Sequence, residues 1–185
     1  MKTHSLIAFV ISTALLTGCL TIPASFNPQN TGDSGMGGGG MALDSGALMN
    51  DADRSNFMRI HNEARAQVGA APLVWSDELS EFAQEWADEL ARRDTMKHRG
   101  GHSYGENLAY GTHVNAAAAA RMWLDERSAY DGGPIGQGNF SAIGHYTQMI
   151  WGSTTEVGYG IARVGRNTYV VANYAPAGNV IGERP

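Results

Sequence analysis

The chain has 185 residues, 43% of them hydrophobic and 17% charged, a balance that suits one globular domain with extra segments and excludes a wholly disordered chain. Its formal net charge is −5 and its cations are scattered through stretches such as "ARRD" and "KHRG". A nucleic-acid partner would need a basic patch, so none is expected.

Residues 1–18 read as an export signal. Lys2 heads the segment, an apolar run follows from Leu6 to Leu16, and small residues lead to the single cysteine, Cys19. The run is too short for an ordinary membrane-spanning helix. "LTGC", Leu16 to Cys19, resembles the bacterial lipobox, which implies cleavage before Cys19 and acyl chains on it, each buried methylene adding about 0.8 kcal/mol of anchoring. Leu20, rather than Asp, follows the cysteine, which by resemblance favours the outer membrane where an envelope has two. The expected protein is thus exported and lipid-anchored to a bacterial cell envelope. With one cysteine it has no internal disulfide, and its core must hold by packing.

Residues 19–50, which include "PQNTGDSGMGGGGMALDSG", are rich in Gly, Ser, Asn and Pro without apolar periodicity, and predict a flexible tether. "GMGGGG" is no phosphate loop, because no strand precedes it and no Lys-Ser or Lys-Thr follows.

The folded domain is expected over residues 51–185. Phe57, Ile60, His61, Ala64 and Val68 lie at helical spacing and stop at Gly69, predicting a first helix. Ser76 is placed to cap a second, with Leu79, Phe82, Ala83, Trp86 and Leu90 on one stripe. "HRGGHSYGENLAYG" reads as a Gly-rich loop carrying His98, His102, Glu106 and Asn107. Asn115 should cap a third helix through the alanines 116–120, on which Ala119, Met122, Trp123 and Glu126 share a stripe. A carboxylate on such a stripe needs a proton, a donor, a metal or another cation as partner; Arg121 or Arg127 could also supply it. A loop through "GGPIGQGNFSA" leads to "GHYTQMIW", Gly144 to Trp151, which suits a short helix and sets His145 against apolar neighbours. "TEVGYGIARV" and "NTYVVANYA" close the chain as a hairpin. Helices first and a hairpin last favour an α+β class.

Two histidines and two carboxylates from separate parts of the chain could form an open first-row metal site, zinc being the usual candidate. No local zincin motif is present.

"GHYTQMIW" and "VVANYAPAGNVIG", with "HNEAR" at His61 and "GENL" at Gly105 in the same order, resemble the signature segments of the CAP superfamily, the SCP-domain proteins. The resemblance spans about residues 54–185. It implies an α-β-α sandwich with an antiparallel central sheet and a cleft holding two His and two Glu. Residue by residue, Glu106 matches the Glu of "GEN", His145 the His of "GHYTQ", and Glu126 the Glu of the Trp-x-x-Glu helix. The fourth position falls on His98 rather than His102. His61 is read separately, as a hydrogen-bonded core histidine. The chain has Ala172 where many eukaryotic members have a disulfide cysteine, so toxin, allergen or fertilisation roles do not carry over.

The resemblance implies lipids or sterol-like molecules as ligand classes. The favoured reading is therefore a binding module, with His98 and His145 as metal ligands, zinc first, and Glu106 and Glu126 bonded to them or to metal-bound water. A metal-dependent hydrolase using Glu106 and Glu126 is the alternative. A third reading is a structural envelope module touching another component through Tyr104, Tyr110 or Tyr130. No protein partner is indicated.

Overall fold

The computed structural model describes residues 42–45, 48–136 and 140–185, so the expected signal segment, Cys19 and most of the expected tether lie outside the described residues. The described chain runs β1 (Leu43–Ser45), α1 (Asp51–Val68), β2 (Val74–Trp75), α2 (Asp77–Arg93), β3 (Gly105–Thr112), α3 (Ala116–Asp125), a 3-10 turn (Glu126–Ala129), α4 (Phe140–Met149), β4 (Glu156–Val164) and β5 (Asn167–Ala175).

Each of the first three helices starts where a side chain replaces a missing backbone partner. Asn50 accepts from Asp53 N–H, Ser76 from Leu79 N–H, and Asn115 from Ala118 N–H. Asp53, itself buried in α1, reaches across to accept from the N–H groups of Ala116 and Ala117 at 2.9 and 3.0 Å, so one helix caps another. α1 ends as expected at Gly69, whose φ of 79° is the left-handed conformation that closes a helix.

The sheet order is β1-β4-β5-β3, antiparallel throughout, with the two-residue β2 adding a short parallel contact to β4. Alternation along the hairpin divides its two faces. Val157, Tyr159 and Ile161 of β4 and Val170, Ala172 and Tyr174 of β5 join Phe57 and Ile60 of α1, Trp123 of α3, and Tyr146 and Met149 of α4. Ala162, Tyr169 and Val171 face the other way, onto Ala83, Ala87 and Leu90 of α2. Helices thus cover both faces, the expected α-β-α sandwich. α2 lies close because Gly158 and Gly160 present no side chain to it: a Cβ on Gly160 would fall 2.2 Å from Gln84 N.

Four sequence expectations are corrected. Residues 43–45 are not tether but a strand on the edge of β4, tied further by Ser45 Oγ donating to Asp88 Oδ1 at 2.7 Å. The segment from Gly105, expected as loop, is the eight-residue strand β3; its glycines hid it, yet pairing with β5 along its whole length outweighs their low propensity. Met122 is 49% exposed, because the buried face of α3 runs through Ala116, Ala119, Ala120 and Trp123 and Met122 lies to one side of it. Val68, expected on the apolar face of α1, is 47% exposed at the helix end.

Candidate functional site

Two imidazole–carboxylate pairs stand at the end of the sheet where α4 crosses β3. In the first, Glu106, second residue of β3, accepts at one oxygen from His98 Nδ1 at 2.7 Å and from Arg99 N–H at 3.0 Å. His98 sits in the loop after α2, and that loop is pinned to the helix. Trp86 Nε1 donates to Lys97 O at 2.9 Å, while the Arg99 guanidinium lies 3.8 Å from the Phe82 ring centre and donates to Phe82 O and Glu85. A histidine between two such anchors has little freedom to wander.

In the second pair, Glu126 opens the 3-10 turn rather than ending α3, and its partner is neither Arg121 nor Arg127. His145 Nδ1 donates to its Oε1 at 2.6 Å; the N–H groups of His145 and Tyr146 donate to Oε2 at 2.9 and 3.1 Å. The His145 ring stacks near Trp123, centroids 6.1 Å apart and planes 22° apart. The apolar wall of the imidazole is thus Trp123 of α3, from outside the run that holds His145, while the carboxylate orients the ring.

A carboxylate can only accept, so in both pairs Nδ1 carries the hydrogen and the neutral ring keeps its lone pair on Nε2. Neither Nε2 has a hydrogen-bond partner among the described residues. The Glu106 hydrogen bond raises the His98 pKa above its ordinary value, against partial burial. For Glu126, burial pushes upward, but the His145 imidazole and the two backbone N–H groups outweigh it and hold the carboxyl below the usual range.

His98, Glu106, Asn107, Phe140, His145 and Asn179 line a cavity of about 280 Å³. A neighbouring hollow of about 390 Å³ shares His98, Glu106, Phe140 and Asn179 and adds His102, Tyr104 and Gln148, so the two make one longer cleft. A separate cavity of about 370 Å³, against Val68, Tyr130, Ile150 and Arg184, has no histidine or acidic side chain. His102 pairs with neither glutamate: its Nδ1 accepts from Tyr104 N–H at 3.2 Å and its ring meets Phe82 edge-on. It shapes the loop that carries His98.

Below the cleft lies a polar chain. His61, wholly buried in α1, bonds through Nδ1 to Phe57 O and through Nε2 to Tyr174 Oη, both at 2.9 Å. Burial lowers its pKa to about 4, so it is the neutral core histidine expected. Asn173, inside β5, and Asn179, beyond it, donate to backbone carbonyls, those of Gly105 and Gly144.

Sequence reasoning missed Arg65, Phe140 and Tyr174. Arg65 is fully buried and donates to the carbonyls of Ala71, Met149, Trp151 and Thr154, fixing the segment behind α4. The available signal was its place four residues after His61, on the same helix face. Phe140 follows a Gly-rich stretch that reads as loop, and nothing local marks it as a cleft wall. Tyr174 sat in a strand among other aromatics.

Among the described residues no three His, Cys, Asp or Glu side chains come close enough to grasp one ion. The donors that any ion would have to use are the two unpartnered Nε2 atoms, each on a ring whose other nitrogen is bonded to a carboxylate. Glu106 Oε2, buried without a partner, leaves an acceptor unused behind His98.

The family model described as CAP, the cysteine-rich secretory protein family, matches residues 58–174. Pathogenesis-related protein 1C of Nicotiana tabacum is 39% identical over 137 residues, covering 71% of this chain and 80% of its own. Pathogenesis-related protein PR-1 of Medicago truncatula is 39% identical over 136 residues, covering 71% and 78%. Among solved structures, NaASP2 with Zn2+ shares the fold at a TM-score of 0.64 and 24% identity, covering 75% of this chain and 87% of that one. Venom allergen-like protein 4 of Schistosoma mansoni does so at 0.54 and 25%, covering 74% and 94%. The chain therefore belongs to the CAP family, and the matched span takes in His98, Glu106, Glu126 and His145.

Proposed function

We propose that this CAP domain is a binding module whose cleft holds a divalent ion, zinc first, on His98 and His145, beside a small apolar or lipid ligand. The observation that carries the reading is that both imidazoles donate through Nδ1 to a carboxylate and leave Nε2 unpartnered, on one cavity of about 280 Å³. Hydrogen-bonded carboxylates fix the tautomer and raise the basicity of the ring, which favours metal ligation. A bound ion would supply a Lewis acid toward a ligand oxygen or water. Glu126, accepting three hydrogen bonds, acts as the rigid support of His145. Glu106 does the same for His98. The NaASP2 structure with Zn2+ supports zinc as the first ion to try. Phe140, 43% exposed at the cleft wall, supports an apolar ligand.

Binding is favoured over hydrolysis because neither carboxylate is presented as a base. Both Glu126 oxygens are occupied, and Glu106 Oε2 is sealed from solvent. The N-terminal reading completes the proposal: residues 1–18 direct export, Cys19 carries acyl chains, and a tether holds the domain of the remaining chain at a bacterial envelope, outer membrane where there are two. No helix among the described residues is long and apolar enough to cross a membrane.

Native mass spectrometry of the mature protein tests both halves. The expected spectrum shows an acylated Cys19, one zinc per chain, and a one-to-one adduct with 1-hexadecanol; His145→Ala loses the zinc. A zinc-free wild-type protein at micromolar zinc would overturn the metal reading, and an unmodified Cys19 the anchoring.

A further inference from the structure

Asn107 lines the cavity of about 280 Å³ and is 1% exposed, yet the metal reading gives it no task. Its amide can be oriented without ambiguity. His145 O is a carbonyl and only accepts, so the Asn107 atom 3.0 Å from it is the nitrogen, Nδ2. The second Nδ2 hydrogen goes to Tyr174 Oη at 3.2 Å.

Tyr174 must in turn accept there, because its own hydrogen is directed elsewhere. Phe57 O accepts from His61 Nδ1, so His61 Nε2 carries a lone pair and takes the Tyr174 hydrogen. Every proton in the chain Asn107, Tyr174, His61, Phe57 therefore has one place. Both hydrogens of the Asn107 amide are spent on protein, and Oδ1 is left with no partner among the described residues. An amide oxygen without a protein donor, on a residue that lines a cavity, is free to accept from a donor that the cavity's occupant brings.

We infer that Asn107 Oδ1 is the specificity contact of the cleft, accepting a hydrogen bond from a ligand that carries a donor, a hydroxyl or amide N–H at the head of an apolar body, with Tyr174 and His61 as the positioning residues that hold the amide in this orientation. The inference rests on the proposed reading that the cleft takes an apolar ligand, and it deepens that reading by naming the headgroup chemistry. The ligand is a donor-headed amphiphile rather than an ether or ester of the same shape, since the latter bring only acceptors to an acceptor. Phe140 on the same cavity supplies the apolar wall.

The test compares 1-octanol with 1-methoxyoctane, which keeps the oxygen and the chain but loses the donor. Calorimetric titration of the full mature protein, zinc-saturated, should give a Kd for the alcohol about fivefold or more below that for the ether, the usual worth of one satisfied buried hydrogen bond. The preference should fall to about one in Asn107→Ala and shrink in Tyr174→Phe, which frees the amide to rotate. The wild-type ratio alone decides the matter if a variant does not fold. Equal affinities in wild type would overturn the inference while leaving the apolar cleft intact. A preference that persists in Asn107→Ala would move the acceptor to another group and overturn it as well. Failure of both probes to bind would overturn the apolar-ligand reading and this inference together. Loss of the Asn107 side-chain N–H shift change in NMR on adding octanol, with binding otherwise normal, would also contradict it.

Discussion

His61 and His145 lie on helices packed into the same layer and face opposite fates. His61 has both ring nitrogens spent inside the protein, on Phe57 O and Tyr174 Oη, and is wholly buried. His145, and His98 across the cleft, spend Nδ1 on a carboxylate and keep Nε2 for something else. The second partner separates the two kinds: where the protein supplies it, the histidine is part of the core; where it is withheld beside a cavity, the histidine is available to a ligand. Asn107 joins the two regions, donating to both His145 O and Tyr174 Oη.

The comparison can be strained hardest at Arg65, the core region's buried cation. Arg65→Met strips donors from the carbonyls of Met149, Trp151 and Thr154, and should cost about 3–5 kcal/mol in urea unfolding, the range for breaking buried charge-assisted contacts. Next comes acid. His61 has its folded pKa lowered to about 4 from an ordinary 6.5, so the unfolded chain binds more protons between those values. Stability from this group is complete above pH 6.5 and falls as pH drops toward about 4, by on the order of 3 kcal/mol. A thermal unfolding series should show the fall, and His61→Gln should flatten it. His98 has the opposite sign: its pKa is raised by Glu106, so in metal-free protein its small contribution is present below pH 6.5 and lost as pH rises through the folded value. An imidazole NMR titration should therefore find the two rings moving apart in opposite directions from 6.5.

Smaller still, Tyr174→Phe should cost about 1–2 kcal/mol by leaving His61 Nε2 without its donor. His98→Ala removes a mostly exposed ring but takes one of two donors from the buried Glu106 carboxylate, and should cost about 1 kcal/mol. A His98 variant as destabilised as a His61 variant would erase the distinction.

The same contrast explains what could be read from residues alone. The helices were legible because capping residues and apolar spacing are local, as Asn50, Ser76 and Asn115 show. β3 was not, because Gly105 and Gly111 give it a loop's composition and its strand character comes from pairing with β5. Glu126 and His145 drew notice as polar groups on apolar stripes. The family resemblance brought glutamates and histidines together as a set, but which carboxylate meets His145 could not be read from spacing, since that bond joins a 3-10 turn to α4 across a sequence gap of 19 residues. Arg65 had one local signal, its place on the His61 face of α1, but its carbonyl partners, three of them more than 80 residues away, could not be read from that.

The division between core and cleft histidines is tested most directly by titrating zinc at pH 7.5 into wild type, His98→Ala, His145→Ala and His61→Gln, with unfolding followed on the same samples. The account predicts that each cleft substitution weakens zinc by more than about tenfold and costs less stability than His61→Gln, which keeps the affinity. Zinc affinity indifferent to both cleft alanines, or abolished by His61→Gln in folded protein, would contradict it.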